Sequence, residues 1–230
     1  MELLEAHFNM LDGNLTYEFE SESFVMFSDK IGVKKHINYL TFKKIFEEMN
    51  NIKNPYILES GIASAGTQST YLFNEYVRKY GGHFWSVDIN ENLVEIHKNN
   101  MCPATTLICS DSVSFFTDWS KINNSVDIIY LDSYDLDFYN PYPSAIHGLA
   151  EYNSLKPVIK KDTLLLIDDT PINPYWLDNR DNIYTDMNIY YNNNNNTMPG
   201  KGMFVLDKIT NANKIIHNYQ VLYKFYDTPL

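Results

Sequence analysis

The sequence predicts an α/β fold built on a mostly parallel sheet, and three observations carry this prediction. Five short runs of apolar residues, rich in β-branched and aromatic side chains, alternate with segments in which apolar residues recur at helical spacing. The runs are too continuously apolar for a half-exposed sheet and suit strands that are covered on both faces. An acidic residue stands at or just beyond the end of every run. The runs are residues 55–58, 82–87, 105–109, 126–131 and 163–167.

Composition excludes several classes of protein. The chain of 230 residues is long enough for one domain with a sizeable core. Its net charge of −11 argues against a nucleic-acid surface, because phosphate contacts need clustered Lys and Arg. Cys102 and Cys109 form neither a disulfide framework nor a metal pattern, which favours a reduced, cytoplasmic setting. We expect no signal peptide and no membrane association, since no stretch approaches ~18 apolar residues.

The most informative stretch is residues 54–69, where a short strand leads into a loop that contains Gly61 and Gly66. Glu59 stands at the end of the strand, and a helical pattern covers residues 67–80. This succession is typical of the first unit of a nucleotide-binding α/β sheet, because glycines let the backbone approach a ligand and a helix start offers free N–H groups. An ordinary strand-to-helix turn with two glycines is the alternative interpretation.

The second strand favours the ligand-binding interpretation. It ends in Asp88, about 22 residues beyond Gly66, where an acid is placed to accept hydrogen bonds from two ribose hydroxyls. The glycine loop contains neither Lys nor Arg and does not match a P-loop. Acids at both strand ends therefore indicate a ligand with a ribose and a cationic group rather than a polyphosphate.

With these residues the chain resembles class I S-adenosylmethionine-dependent methyltransferases, over roughly residues 54–225. The resemblance implies a Rossmann-like fold with a mostly parallel seven-stranded sheet, helices on both faces and a C-terminal antiparallel strand. It also implies that the first-strand acid and the loop hold the amino-acid end of the cofactor, and that Asp88 holds its ribose. Because the loop has one residue more between its glycines than the common pattern, Ala65 is an alternative to Gly66. The cofactor-binding residues expected on this basis are Glu59, Gly61, Ala63, Gly66, Ser69, Asp88, Asp111, Ser112 and Asp132.

The turn after the third strand has two interpretations. The resemblance places an adenine contact here, which Asp111 would make. A plain helix N-cap is the alternative role for Asp111, and Ser112 is a further candidate for the cap of the next helix.

A divalent-metal site is the most specific chemical hypothesis. Asp132 follows the fourth strand, and Asp168 and Asp169 follow the fifth, so the three carboxylates should converge at one edge of the sheet. Carboxylate oxygens suit a hard cation such as Mg²⁺. These segments resemble the metal-binding segments of catechol-type O-methyltransferases, which implies that a metal would hold the acceptor hydroxyl near the methyl group. The alternative is that Asp168 caps the following segment and Asp169 is exposed.

The general base is left open by the sequence. Catechol-type enzymes carry a lysine three residues beyond the fourth-strand acid, whereas this chain has Asp135 there. Asp135 and His147 are therefore the candidate bases, beside Asp132 as a catalytic residue. A surface or packing role is the alternative for His147. The longer sequence around these residues also resembles less characterised bacterial and viral methyltransferase-domain proteins, which favours a small-molecule or glycan acceptor.

The flanking segments complete the expected organisation. Residues 1–50 are expected to form a helical lead-in that covers the site, and residues 51–230 the methyltransferase domain, within one domain overall. The apolar residues 24–27 are candidates for a pocket cap or for a homodimer contact. We expect an exposed polar loop at residues 184–197, a helix at 200–210 and a terminal hairpin at 214–225. The rival functions are an NAD-dependent oxidoreductase, whose tight glycine turn is absent, and a non-catalytic module that binds a nucleoside or S-adenosylmethionine.

Overall fold

The computed structural model of the chain describes five stretches, with the backbone alone at residues 12–20 and 182–184. The described stretches are residues 1–20, 36–62, 66–137, 139–174 and 182–229. The apolar segment at 24–27, which we considered as a cap or dimer contact, and Ala63 with Ala65 of the glycine loop lie outside them.

A seven-stranded sheet forms the centre of the fold, in the order β3-β2-β1-β4-β5-β7-β6. Strands β1 to β5 pair in parallel, and β7 is antiparallel to both of its neighbours, so that β6 points the same way as the parallel strands. This confirms the predicted mostly parallel sheet with a C-terminal antiparallel strand. The strands are Tyr56–Ser60, His83–Asp88, Thr105–Cys109, Ile128–Leu131, Leu164–Ile167, Ala212–His217 and Val221–Phe225 for β1 to β7.

Helices cover both faces of the sheet, as the apolar strands require. Seven α-helices lie within the described residues, numbered here α1 to α7: Glu2–Glu20, Tyr39–Met49, Ser69–Tyr80, Glu91–Lys98, Ser112–Ile122, Tyr142–Leu155 and Asn182–Asn193. No helix in these stretches is both long enough and apolar enough to cross a membrane.

The core has two halves because successive side chains of a strand point to opposite faces. On β4, Tyr130 packs in the half beneath α1, α2 and α3, whereas Ile129 packs in the half beneath α5 and α6. All four residues of β4 and all four of β5 are buried. These strands run through the middle of the sheet. Packing on both faces therefore fixes the position of their carboxyl ends.

The strand order places a topological switch point between β1 and β4. The chain leaves β1 toward β2 on one side and later returns at β4 on the other side, so that a crevice opens beyond the carboxyl ends of these two strands. Ligands of open α/β sheets bind in such crevices. The predicted acids are brought to this edge of the sheet.

Two predictions for the C-terminal third were wrong. The segment expected as an exposed loop at 184–197 is largely helix α7, Asn182–Asn193, which buries Met187 completely. The Asn-rich composition gave no sign of this helix, in which Met187 is the buried apolar residue among the described side chains.

The helix expected at 200–210 is instead a series of turns followed by a short 3-10 helix at Leu206–Lys208. Two glycines explain the difference, because they let this segment approach the chain after β5 more closely than a helix would. A β-carbon on Gly200 would lie 2.5 Å from the carbonyl oxygen of Asp169, and one on Gly202 would lie 2.9 Å from the side chain of Thr170.

Candidate functional site

A cavity of about 600 Å³ opens at the switch point, beyond the carboxyl ends of β1 to β4. Its volume is within the range of small-molecule sites. Seven of the residues that the sequence predicts for the site line this cavity: Gly61, Asp88, Asp111, Ser112, Asp132, Asp135 and His147. The structure thus brings these seven residues together around one cavity, and their roles are taken up below as proposals.

Gly61 brings the start of the glycine loop against β4. Its φ of +83° lies in the left-handed region, and a β-carbon there would lie 2.6 Å from the carbonyl oxygen of Asp132. Its amide donates a 2.8 Å hydrogen bond to the carbonyl of Val87 on β2. Glycine is thus required at this position, because any side chain would separate the three strands that form the floor of the cavity.

Asp88 is fixed by backbone amides at the end of β2. One carboxylate oxygen accepts a 2.9 Å hydrogen bond from the amide of Ile62, and the other accepts one of 2.7 Å from the amide of Asn90. Each oxygen retains a lone pair for a further donor. The carboxylate is therefore held rigidly at the cavity wall and is able to accept from ligand hydroxyls.

Glu59 has a different environment from the one that the sequence suggests. The residue is fully buried, and its two oxygens accept hydrogen bonds of 2.6 Å from the hydroxyls of Ser69, Thr70 and Ser86. Burial raises the pKa of the Glu59 carboxyl to about 7, against the opposing effect of the three donors. Glu59 does not line the cavity of the described residues. Its contacts join β1, β2 and the start of α3. Glu59 thus stabilises the glycine loop from the interior of the protein.

The remaining residues predicted around the loop occupy three different situations. Ser69 begins α3 and directs its hydroxyl to Glu59. Gly66 has a φ of +56°, and beyond its chain neighbours no atom of the described residues lies within 4 Å of where a β-carbon would be. Ala63 lies outside the described residues. Neither Ser69 nor Gly66 lines the described cavity.

Asp111 is the N-cap of α5, and Ser112 is not. One oxygen of Asp111 accepts a 2.8 Å hydrogen bond from the amide of Ser114, which lowers the pKa of the Asp111 carboxyl. The side chain of Asp111 is exposed to the cavity, so the cap and a ligand contact are compatible. The alternative that Ser112 caps the helix is wrong for a simple reason. The Ser112 hydroxyl is instead 2.9 Å from Nε2 of His147.

His147 belongs to a polar chain that leads from the cavity into the interior. Its Nε2 atom lies 3.4 Å from Oε1 of Glu151, which is buried, and the same carboxylate accepts a 2.6 Å hydrogen bond from Ser133. Glu151 raises the pKa of the His147 imidazole above 6.5, against the opposing effect of burial. The ring of Tyr134 lies 5.5 Å from the His147 ring. His147 is therefore a partly buried cavity residue, and its contacts are compatible with the packing role as well as with a role in the site.

Asp132, Asp168 and Asp169 converge as predicted, with one oxygen from each within 4.8 Å of the others. The sequence did not indicate that a lysine lies among them. Nζ of Lys201 is 2.7 Å from Oδ1 of Asp132 and 3.1 Å from Oδ2 of Asp169. The Lys201 side chain is only 3% exposed. We call these four residues the Lys201 cluster.

Electrostatics explain how this cluster is stable. Burial, together with repulsion between the carboxylates, raises the pKa of Asp132 and Asp169, whereas Lys201 opposes both effects. The three carboxylates in turn raise the pKa of the Lys201 ammonium against the effect of burial, so the lysine stays charged. Three carboxylates suit a hard divalent cation, but an ammonium already lies at ion-pair distance from two of them. The residues as folded do not fit such a cation, and magnesium has no support here.

Further donors surround the two acids after β5. Nε2 of Gln220 donates a 2.8 Å hydrogen bond to Asp168, and the hydroxyl of Tyr219 donates one of 2.9 Å to Asp169. Asp169 has a φ of +39°, which is uncommon for a residue other than glycine. The contacts with Lys201 and Tyr219 hold it in this conformation.

The lead-in segment reaches the same region. Nδ2 of Asn38, just before α2, donates a 2.8 Å hydrogen bond to Thr67 and lies 3.5 Å from Asp168. Nε2 of His7 on α1 lies 2.8 Å from the carbonyl of Thr67. Both helices are thus attached to the segment that follows the glycine loop.

Sequence reasoning missed Lys201, Glu151, Ser133, Asn38 and Gln220. Lys201 is 69 positions from Asp132, and only its neighbours Gly200 and Gly202 gave a local signal of close approach. Ser133 lies between Asp132 and Asp135, but no pattern marked its hydroxyl, and Glu151, Asn38 and Gln220 lie outside the motifs. Their function depends on contacts between distant parts of the chain.

No protein-family model matches the sequence, and no curated protein matches it significantly. Solved structures of methyltransferases do match. The S-adenosylhomocysteine-bound methyltransferase PaMTH1 of Podospora anserina is 13% identical with a TM-score of 0.52, over 82% of this chain and 79% of that one.

Two other solved structures are less similar. A TehB-like S-adenosylmethionine-dependent methyltransferase of Corynebacterium glutamicum is 12% identical with a TM-score of 0.37, over 69% of this chain and 72% of that one. The CurJ carbon methyltransferase is 11% identical with a TM-score of 0.49, over 82% of this chain and 54% of that one.

At these identities the comparison establishes the fold. The chain has the Rossmann-like fold of class I S-adenosylmethionine-dependent methyltransferases, as the likeness to PaMTH1 and the strand order show. The narrower resemblance to catechol-type enzymes is not confirmed.

Proposed function

We propose that this protein is an S-adenosylmethionine-dependent methyltransferase that acts on a hydroxyl group of a small molecule or a glycan. The observation that best supports the proposal is the cavity at the β1/β4 switch point, where Asp88, Asp111 and Asp132 approach from three strand ends. Acids at these positions match a ligand that combines ribose hydroxyls, a base with an amino group and a positive charge.

The residues of the cavity fit this cofactor in chemical character. The Asp88 oxygens are held by backbone amides and retain capacity to accept from ribose hydroxyls. Asp111 and Ser112 lie side by side at the end of β3 and would hold the adenine. Gly61 and Asp132 lie where the cationic amino-acid end would bind. When bound, S-adenosylmethionine supplies an electrophilic methyl group on a sulfonium.

The Glu59 carboxylate would act indirectly. Its three hydroxyl partners fix the start of α3 against β1 and β2, and this keeps the loop and Asp88 at their mutual distance. We therefore propose that Glu59 and Ser69 shape the cofactor site without contributing ligand atoms.

The charge of the cavity limits the acceptor. Four carboxylates line it, those of Asp88, Asp111, Asp132 and Asp135. Charge repulsion from carboxylates that line one cavity disfavours phosphorylated or carboxylated acceptors. A neutral hydroxyl compound, such as a sugar or a phenol, can bind in this cavity without a counter-ion. The acidic lining also argues against a nucleic-acid acceptor.

A hydroxyl acceptor must lose a proton when its oxygen is methylated, and Asp135 is the better placed base. Asp135 follows β4 beside Asp132 and is exposed to the cavity. His147 already contacts Ser112 and Glu151, and its raised pKa keeps it more protonated near neutral pH. His147 therefore suits a role in binding the adenine end together with Ser112.

The lead-in helices are proposed to cover the acceptor. Asn38 and His7 connect α2 and α1 to Thr67, next to the glycine loop, and Asn38 approaches Asp168. Helices α1 and α2 would thus close the side of the site that the sheet leaves open, and the strands and helices from β1 onward would form the methyltransferase domain.

Isothermal titration calorimetry with S-adenosylmethionine tests cofactor binding. We expect Asp88→Ala to weaken binding about 10- to 100-fold, since hydrogen bonds to a charged group contribute roughly 1.5–3 kcal/mol. Asp118→Ala is the matched control, because Asp118 is an exposed acid on α5 that pairs with Lys121 at the surface. Unchanged affinity in Asp88→Ala, or absence of binding by the unmodified protein, would refute the proposed site.

Transfer of a labelled methyl group tests the reaction. The protein is incubated with S-adenosylmethionine labelled in the methyl group and with matched hydroxyl, amine and carboxylate acceptors. We expect label on neutral hydroxyl compounds, and loss of transfer in Asp135→Asn with cofactor affinity retained. Tight cofactor binding without transfer to any acceptor would instead identify a non-catalytic binding module.

A further inference from the structure

We propose that the ammonium group of Lys201 takes the place of a divalent cation among Asp132, Asp168 and Asp169, so that the protein works without a metal at this position. Lys201 is then the positioning residue that holds Asp132 at the wall of the cavity. This role of the Lys201 ammonium does not depend on the identity of the cofactor or acceptor.

The Lys201 ammonium contacts two of the three acids and one backbone carbonyl. Nζ lies 2.7 Å from Oδ1 of Asp132, 3.1 Å from Oδ2 of Asp169 and 3.3 Å from the carbonyl oxygen of Asp132. A lysine that is 97% buried is stable only when its charge is compensated, and these carboxylates supply the compensation. The lysine and the acids therefore require each other.

The backbone around Lys201 packs closely against α6 and against the chain after β5. A β-carbon on Gly148 of α6 would lie 2.4 Å from the carbonyl oxygen of Lys201, and one on Gly200 would lie 2.5 Å from the carbonyl oxygen of Asp169. The amide of Lys201 donates a 3.1 Å hydrogen bond to that same Asp169 carbonyl. Glycines on both sides thus let the lysine backbone pack directly against the tip of β5, and this leaves the side chain little freedom.

The geometry also explains what removal of the lysine would do. One oxygen of each acid lies within 4.8 Å of the others. Ca²⁺, whose ligand distances are about 2.3–2.6 Å, spans opposed ligands about 4.6–5.2 Å apart. Without the ammonium the three carboxylates have both the spacing and the charge of a divalent-cation site. The lysine is therefore the feature that excludes a metal from this cluster.

Manganese binding tests the proposal directly. The purified full chain is stripped with a chelator and titrated with MnCl₂, and free Mn²⁺ is followed by electron paramagnetic resonance. We expect no site of submillimolar affinity at the cluster in the unmodified protein. Lys201→Ala should gain one Mn²⁺ site, at least about tenfold tighter than any site of the unmodified protein. Its melting temperature should rise when Mn²⁺ is added.

Two controls assign the gained site to the cluster. Lys208→Ala removes an exposed lysine seven positions further along the chain and should bind no more Mn²⁺ than the unmodified protein. Adding Asp169→Asn to Lys201→Ala should abolish the gained site. Should Lys201→Ala fail to fold, Lys201→Asn supplies a neutral side chain that bonds to the carboxylates and leaves room for the ion.

Two results would overturn the proposal. One is a Mn²⁺ site in the unmodified protein that Asp169→Asn abolishes, because the lysine would then coexist with a metal. The other is a folded Lys201→Ala or Lys201→Asn variant that gains no Mn²⁺ affinity. Neither result depends on methyl transfer, so failure here is distinguishable from failure of the proposed enzymatic function.

Discussion

Gly61 and Asp132 lie so close together that a β-carbon on the glycine would be 2.6 Å from the aspartate carbonyl oxygen. The contact joins the chain after β1 to the chain after β4. These two neighbouring strands form the topological switch point, where the strand order reverses. The floor of the cavity is therefore formed by backbone, and the width of the crevice depends on the absence of one side chain.

Gly61→Ala should destabilise the protein by about 2–4 kcal/mol, because the alanine meets both the steric conflict and a φ of +83°. Gly66→Ala is the matched comparison. Gly66 also has a positive φ but open space around its β-position, so we expect only about 1 kcal/mol. Urea unfolding of both variants measures the difference. Equal losses would show that backbone conformation alone, and not the approach to Asp132, requires glycine at position 61.

Glu59 should make stability fall as pH rises. The folded protein holds the Glu59 pKa at about 7, above its ordinary value of 4.5, so the folded state retains a proton that the unfolded chain has lost. Between these two pH values the contribution of Glu59 to stability therefore decreases, by about 3 kcal/mol in total. Above pH 7 it changes no further.

Urea unfolding of the unmodified protein and of Glu59→Gln, at pH 5 and at pH 8, isolates this effect. Glutamine keeps an acceptor for the hydroxyls of Ser69, Thr70 and Ser86 but does not titrate. We expect the unmodified protein to lose roughly 3 kcal/mol more than the variant between the two pH values. Parallel losses in the two proteins would show that Glu59 does not change its protonation in this range.

The sheet was predictable because its signals are local. Each parallel strand is a short apolar run followed by an acid, and such runs suit only strands covered on both faces. The acids at the strand ends were likewise visible, and the structure explains how they tolerate one another. Glu59 accepts from three hydroxyls, Asp88 from two amides, and Asp132 from Lys201.

The parts that were not predictable depend on long-range contacts. Helix α7 is Asn-rich, and among its described side chains that of Met187 packs against the core. The apolar spacing of Met203, Leu206 and Ile209 suggested a helix, but the approach of Gly200 and Gly202 to the tip of β5 produced turns. The position of Lys201 among the acids follows from that approach.

Asp111 should have two separable roles, one in the helix and one in the cavity. Asp111→Ala removes the cap of α5 and should cost about 1 kcal/mol of stability. Asp111→Ser keeps a capping oxygen and should cost only a few tenths of a kcal/mol. If the carboxylate also contacts the cofactor, both variants should bind S-adenosylmethionine about tenfold more weakly in calorimetry. Normal affinity in the serine variant would leave Asp111 as a cap alone.

His147 should give a pH dependence of stability that has its midpoint above 6.5. The contact with Glu151 raises the folded-state pKa of the imidazole above its ordinary value. Protonated His147 therefore stabilises the folded state fully below pH 6.5, and this contribution is lost as pH rises through the raised pKa. Compared with His147→Gln, the unmodified protein should lose stability between pH 6 and pH 9 in urea unfolding.

His83 provides a control of opposite sign within the same chain. Burial lowers the pKa of the His83 imidazole, so its contribution is present at high pH and is lost as pH falls through its ordinary value of 6.5 toward the lowered one. The stability of His83→Gln should therefore change with pH differently from that of the unmodified protein below pH 6.5, whereas for His147→Gln the two pH profiles should differ in slope above pH 6.5. If His147→Gln follows the pH profile of the unmodified protein throughout, the ion pair with Glu151 does not form in solution. The Ser112 and Ser133 contacts would then hold these two side chains without a shared charge.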